Sequence, residues 1–161
     1  MLPARALELH SGGLVTTLPR ILIVEDDVAI RGMLTAALGR EALAVDTAGD
    51  GMAALEKLAT VTYAVIIVDL MMPRMDGYSF LDAFRELRLP LRPLIFVMTA
   101  YDDVALLKLD ATLVHGYLKK PFDLEQVVKL VRDAAAVLHS AEDQPGIAPE
   151  APSEDDRLSS A

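Results

Sequence analysis

Ala64-Val65-Ile66-Ile67-Val68-Asp69-Leu70-Met71-Met72-Pro73 is the stretch that decides the fold. Val65 to Val68 are apolar without interruption and rich in β-branched side chains, the pattern of a strand buried on both faces. A sheet with one wet face would alternate polar and apolar residues instead. Burial on both faces calls for parallel strands joined by right-handed helical crossovers that cover the sheet above and below. In such sheets the functional crevice lies outside the carboxyl ends of the strands. Asp69 stands at that end, between the apolar run and Pro73.

Working outward, three more apolar runs share this character: Arg20 to Glu25, Ala42 to Ala48 and Pro93 to Thr99, with a weaker fifth at His115 to Leu118. Between and after them, apolar residues recur at spacings of three and four. This periodicity predicts helices over Val28 to Gly39, Gly51 to Ala59, Tyr78 to Leu89, Asp103 to Ala111 and Leu124 to His139. The order is βα repeated five times, an α/β doubly wound fold with a five-stranded parallel sheet and helices on both faces. Asp76-Gly77 marks the turn that opens the third helix.

The bulk composition narrows the function. A chain of 161 residues, 53% of them hydrophobic, suits one domain burying roughly 70% of its unfolded surface. No apolar run approaches the roughly 20 residues of a membrane span, and none near the amino end has the length of a signal peptide. There is no cysteine, which removes disulfides and thiolate chemistry together and makes the cytoplasm the expected compartment. The net charge is −9, and residues 141–161 carry six acids against one arginine. With no basic surface, direct nucleic-acid binding is not expected. The ends read differently from the middle. Residues 1–18 form an expected flexible extension, 19–140 the domain, and 141–161 a disordered acidic tail of Pro, Ala and Ser.

The strand ends collect chemistry. The first strand runs into Glu25-Asp26-Asp27, the third into Asp69, the fourth into Thr99, and the fifth into Lys119-Lys120-Pro121. Carboxylates converging on one mouth repel one another unless a hard cation sits among them, and Mg²⁺ suits an all-oxygen set. Mg²⁺ also bridges phosphoryl oxygens, while the Lys120 ammonium and Thr99 hydroxyl are suited to the remaining two. Asp69 is then the nucleophile, already ionised and in need of no general base. Each residue alone has a plainer reading. Asp26 or Asp27 suits a helix N-cap, and Asp27 is read as the one that caps; Asp69 suits a loop anion, Thr99 an ordinary strand residue and Lys120 a solvated charge. Met71, Met72, Met75 and Met98 read as core and loop packing, and His10, His115 and His139 have no metal-ligand spacing.

Five motifs taken together resemble the receiver domain of two-component response regulators. They are Ile21-Leu22-Ile23-Val24-Glu25-Asp26-Asp27, Val65 to Pro73, Met75-Asp76-Gly77, Val97-Met98-Thr99-Ala100 and Tyr117-Leu118-Lys119-Lys120-Pro121-Phe122. The resemblance spans residues 19 to 140 and implies a flavodoxin-like fold. It implies that Asp69 is the phosphoacceptor and Glu25 and Asp26 the acidic pair. Asp26, Asp69 and the Met71 backbone carbonyl would be direct ligands of Mg²⁺, with Mn²⁺ as a substitute. It implies further that Thr99 hydrogen-bonds the phosphoryl group, that Lys120 pairs with it, and that Tyr117 is an aromatic switch acting with Thr99. The Lys120-Pro121 bond is expected to be cis.

The implied function is that of a stand-alone response regulator, taking a phosphoryl group from a histidine kinase or histidine phosphotransfer protein. The output would be a change in binding to a downstream protein target through the fourth helix, fifth strand and fifth helix. Such a protein is no conventional enzyme; it catalyses its own phosphorylation and slow dephosphorylation, as a monomer or a phosphorylation-dependent dimer. Two alternatives stay open: a pseudo-receiver that binds partners without phosphorylation, and a receiver belonging to a longer regulator. A haloacid-dehalogenase-like phosphatase would need a second Asp two residues after Asp69, where Met71 stands. The chain departs from the family in two places. Thr99 to Lys120 is one residue shorter than the commonest spacing, and Leu113-Val114-His115-Gly116 replaces the usual Gly-Ala-Asp-Asp. Bulky Met71 and Tyr101 are expected to shield the acyl phosphate from water.

Overall fold

The computed structural model of the chain describes residues 17–100 and 106–142. Residues 1–16 of the expected extension, Tyr101, the start of the fourth predicted helix and the tail from residue 143 lie outside the described residues. The strands are β1 (Arg20–Val24), β2 (Ala44–Ala48), β3 (Val65–Asp69), β4 (Leu94–Thr99) and β5 (Gly116–Lys119). The described helices are α1 (Val28–Leu38), α2 (Gly51–Leu58), α3 (Gly77–Glu86) and α4 (Leu124–Glu142). All strand pairs are parallel, in the order β2-β1-β3-β4-β5.

Every residue of β3 is buried, as its unbroken apolar run requires. Alternate side chains feed two separate cores. On one face Leu22, Val24, Ile66, Val68, Ile95 and Val97 pack under α2 and α3, against Ala54, Leu58, Phe80 and Phe84. On the other, Ile21, Ile23, Val65, Ile67 and Phe96 pack under α1 and α4, against Leu34, Leu38, Val127 and Val131. The chain order reverses between β1 and β3, so the crevice of this doubly wound sheet opens where those two strands end.

Three helical regions depart from the sequence expectation by three residues or more. α3 stops at Glu86 rather than Leu89, with Leu87 extended at ψ 135°. Pro90 disfavours helical backbone at Leu89, and Arg92 takes over the freed carbonyls. Its guanidinium donates to Leu87 O at 2.8 Å and Phe84 O at 3.5 Å, and lies 4.6 Å from the centroid of the Phe84 ring. α4 runs to Glu142, past the end expected at His139, because the alanine-rich run from Ala134 to Ala136 favours helix. The described part of the fourth predicted helix is one helical residue, Leu106, followed by turns. Met71, read as packing, is instead an exposed loop side chain, whereas Met72 and Met98 are buried.

Candidate functional site

At the end of β1 the three consecutive acids separate by task. Asp27 caps α1, its Oδ1 accepting from the N–H groups of Ala29 (2.8 Å) and Ile30 (3.0 Å). Glu25 points inward and is fully buried, with Oε1 accepting from the Asp27 N–H at 3.1 Å. Asp26 is left exposed at the mouth. Arg31, one turn into α1, donates from Nη1 to the backbone carbonyls of Glu25 (2.6 Å) and Asp26 (3.4 Å), fixing the loop that carries both acids.

Asp69 ends β3, buried to 4% exposure. Its Oδ1 accepts from the Met71 N–H at 3.1 Å. The loop that follows closes on itself, the Gly77 N–H donating to Leu70 O at 3.0 Å. A Cβ at Gly77 would lie 2.5 Å from Asp69 O and 2.7 Å from Leu70 Cα, so only glycine admits this approach. Asp76 caps α3 through Ser79 N–H.

Lys120 follows β5, its N–H donating to Thr99 O at 2.8 Å and its bond to Pro121 cis. From there Nζ reaches back to Glu25 Oε2 at 2.8 Å and Asp69 Oδ2 at 2.9 Å, joining residues 95 and 51 positions apart. Thr99 ends β4, buried at 2% exposure, opposite Lys119 in the ladder. Tyr117 is in β5 opposite Val97, with 44% of its surface exposed.

Burial pushes the Glu25 carboxyl above its ordinary value; the Lys120 hydrogen bond and the Asp27 N–H oppose this, and the Asp69 charge adds to it. Burial works to lower Lys120, but its hydrogen bonds to Glu25 and Asp69 outweigh that and hold it above the usual lysine value, so it stays an ammonium. One carboxylate oxygen each from Glu25, Asp26 and Asp69 lies within 4.8 Å of the others. This all-oxygen, net-negative set fits a hard divalent cation, since the single ammonium balances only one of three carboxylates. The arrangement sets the Asp69 carboxyl beside an ammonium already placed to meet negative charge on an incoming group.

Two contributors escaped the sequence reading. Arg31 acts on backbone carbonyls, for which no pattern of residue types signals a partner. Asp50 stands between the second strand and second helix of the sequence reading; its Oδ1 accepts from the Ala53 N–H at 2.9 Å and its Oδ2 from Arg74 Nε at 2.7 Å.

The sequence matches the family described as "Response regulator receiver domain" over residues 21–132. It is 37% identical over 130 residues to the DNA-binding transcriptional regulator NtrC of Escherichia coli K12, covering 77% of this chain and 26% of NtrC. It is 40% identical over 120 residues to the response regulator MprA of Mycobacterium ulcerans, covering 70% of this chain and 48% of MprA. The chain thus spans about a quarter to a half of these relatives' lengths. Among solved structures, the chemotaxis protein CheY4 of Vibrio cholerae aligns with a TM-score of 0.67 and 30% identity, over 73% of this chain and 99% of that one. TrrA of Thermotoga maritima, in complex with Mg²⁺-BeF, aligns with a TM-score of 0.64 and 28% identity, over 73% and 99%. On the match across residues 21–132, this chain belongs to the response regulator receiver domains of two-component systems.

Proposed function

We propose that this receiver accepts a phosphoryl group on Asp69 from a phosphohistidine of a histidine kinase or phosphotransfer protein, and passes the change of state to a protein target. The observation that carries this reading is the Lys120 ammonium held 2.9 Å from Asp69 and 2.8 Å from Glu25, in a mouth where Asp26 adds a third carboxylate. An Asp69 oxygen attacks phosphorus; the new O–P bond forms as the P–N bond breaks, and its electron pair stays with the donor imidazole. Asp26, Asp69 and the Met71 carbonyl, with Glu25 behind them, are the residues that would hold Mg²⁺. When bound, the ion neutralises charge on the phosphoryl oxygens. Lys120, already a cation, exchanges a carboxylate partner for a phosphoryl oxygen, and Thr99 contributes its hydroxyl at the same strand end.

The switch then runs along β4 and β5. Thr99 moves toward the phosphoryl group, and exposed Tyr117 turns into the space behind it. The changed face is that of β5, α4 and the segment between β4 and β5. A coupling of about 1–3 kcal/mol is enough. In this reading residues 19–140 are the working unit, acting in the cytoplasm as a monomer or a phosphorylation-dependent dimer. The lengths of the curated relatives favour a second reading of the output, in which the receiver serves a longer regulator.

The test is incubation with acetyl phosphate, with and without Mg²⁺, followed by intact mass of wild type and Asp69→Ala. One phosphoryl mass gained only with Mg²⁺ and only in wild type is the expected result. Folded wild type that gains nothing in Mg²⁺ rejects the reading in favour of a phosphorylation-independent binding module.

A further inference from the structure

The loop between β3 and α3 carries a feature that the phosphoryl-transfer reading leaves unused. Arg74 has a left-handed backbone at φ 65°, the one non-glycine residue with positive φ among those described. A long side chain gains nothing from that conformation, which glycine adopts freely. What sets Arg74 apart is its side chain: Nε donates to Asp50 Oδ2 at 2.7 Å, and Nη2 pairs with the same oxygen. Asp50 is itself anchored, since its Oδ1 caps α2 by accepting from the Ala53 N–H at 2.9 Å. A second tie lies beside the first. The Gly51 N–H donates to Met75 O at 3.2 Å, and a Cβ at Gly51 would collide with the Met75 side chain at 2.6 Å.

Both ties join the tip of the loop to the start of α2, while the base of the loop is closed by Gly77 N–H to Leu70 O. Met71 lies between tip and base, and its N–H holds Asp69 Oδ1. A loop fixed only at its base would leave the Met71 peptide free to rotate. Fixed at both ends, it holds that N–H on Asp69.

We propose that the Asp50–Arg74 ion pair is a latch that positions the β3–α3 loop, and with it Asp69 and the Met71 peptide, for divalent-cation binding. This rests on the functional reading above. Arg74 and Asp50 are positioning residues and touch neither cation nor phosphoryl group.

The experiment separates positioning from stability. Arg74→Gly removes the latch and relieves the backbone, and Asp50→Asn keeps a competent helix cap while removing the charge. Calorimetric titration with MgCl₂ is expected to show Kd raised about three- to tenfold in each variant, with thermal midpoints close to wild type for Arg74→Gly. The double variant should be no weaker than the weaker single, the signature of one shared interaction. Mg²⁺ binding equal to wild type in both single variants, or additive losses in the double, overturns the latch while leaving the functional reading intact. A wild type that binds no Mg²⁺ overturns the functional reading and the latch with it.

Discussion

Glu25 is the residue at which stability and function pull apart. Its carboxylate is fully buried, burial raises its pKa, and one lysine serves both it and Asp69. A group whose folded pKa is raised costs stability as pH climbs from its ordinary value through the folded one. Glu25→Gln is therefore expected to raise the thermal midpoint at pH 7 in Mg²⁺-free buffer by a few degrees, while weakening Mg²⁺ binding. A melt with and without Mg²⁺ checks both; a lower midpoint in the absence of Mg²⁺ would show that the Lys120 pairing outweighs burial. Gly77 is the opposite case, where nothing but glycine serves. A Cβ 2.5 Å from Asp69 O forces the end of β3 to shift, so Gly77→Ala should cost about 1–3 kcal/mol by urea denaturation and, on the proposed function, abolish phosphorylation of Asp69. The meeting of Glu25, Asp26, Asp69 and Lys120 at one mouth was legible because each stands at or just past a strand end. Arg31 was not, because its partners are carbonyls that every residue possesses.

α2 and the β3–α3 loop show how elements depend on single polar contacts. The backbone N–H of Ala53 and the Arg74 guanidinium together hold the Asp50 carboxyl below the usual aspartate range. A depressed folded pKa means that the stabilisation is fully present above the ordinary value of 3.8 and is lost as pH falls through the lower folded value. Thermal midpoints of wild type should therefore exceed those of Asp50→Asn at pH 6, with the gap closing below pH 4. A gap that persists at pH 3 would place the stabilisation elsewhere. α2 was legible from the apolar spacing over Gly51 to Ala59, whereas the early end of α3 was not. Leu87 continues the three-residue spacing of Leu81 and Phe84 past Glu86, and only the guanidinium of Arg92, returning from beyond the turn, shows which carbonyls are capped from outside.

The whole molecule couples its charge cluster to its fold. Glu25, Asp26 and Asp69 come from two different strands and are balanced by one cation from a third, so a ligand that completes the balance should stabilise the entire domain. At a Mg²⁺ concentration of 100 times Kd the expected gain is about 2.7 kcal/mol, seen as a rising thermal midpoint in wild type and a flat one in Asp69→Ala. Equal rises in both would mean that the ion acts elsewhere. The sequence by itself determined the layered architecture, because an unbroken apolar strand such as Val65 to Val68 has no stable place except between two layers of helices. It also determined which strand ends carry acids, and that Lys120 precedes a proline. Asp27 caps α1, as its place just before the helix suggested, and tertiary structure decided how the other two acids divide: Glu25 turned into the core and Asp26 stayed at the mouth. Local sequence sets backbone preference, but a side chain's partner 51 or 95 residues away is set by the register of the assembled sheet.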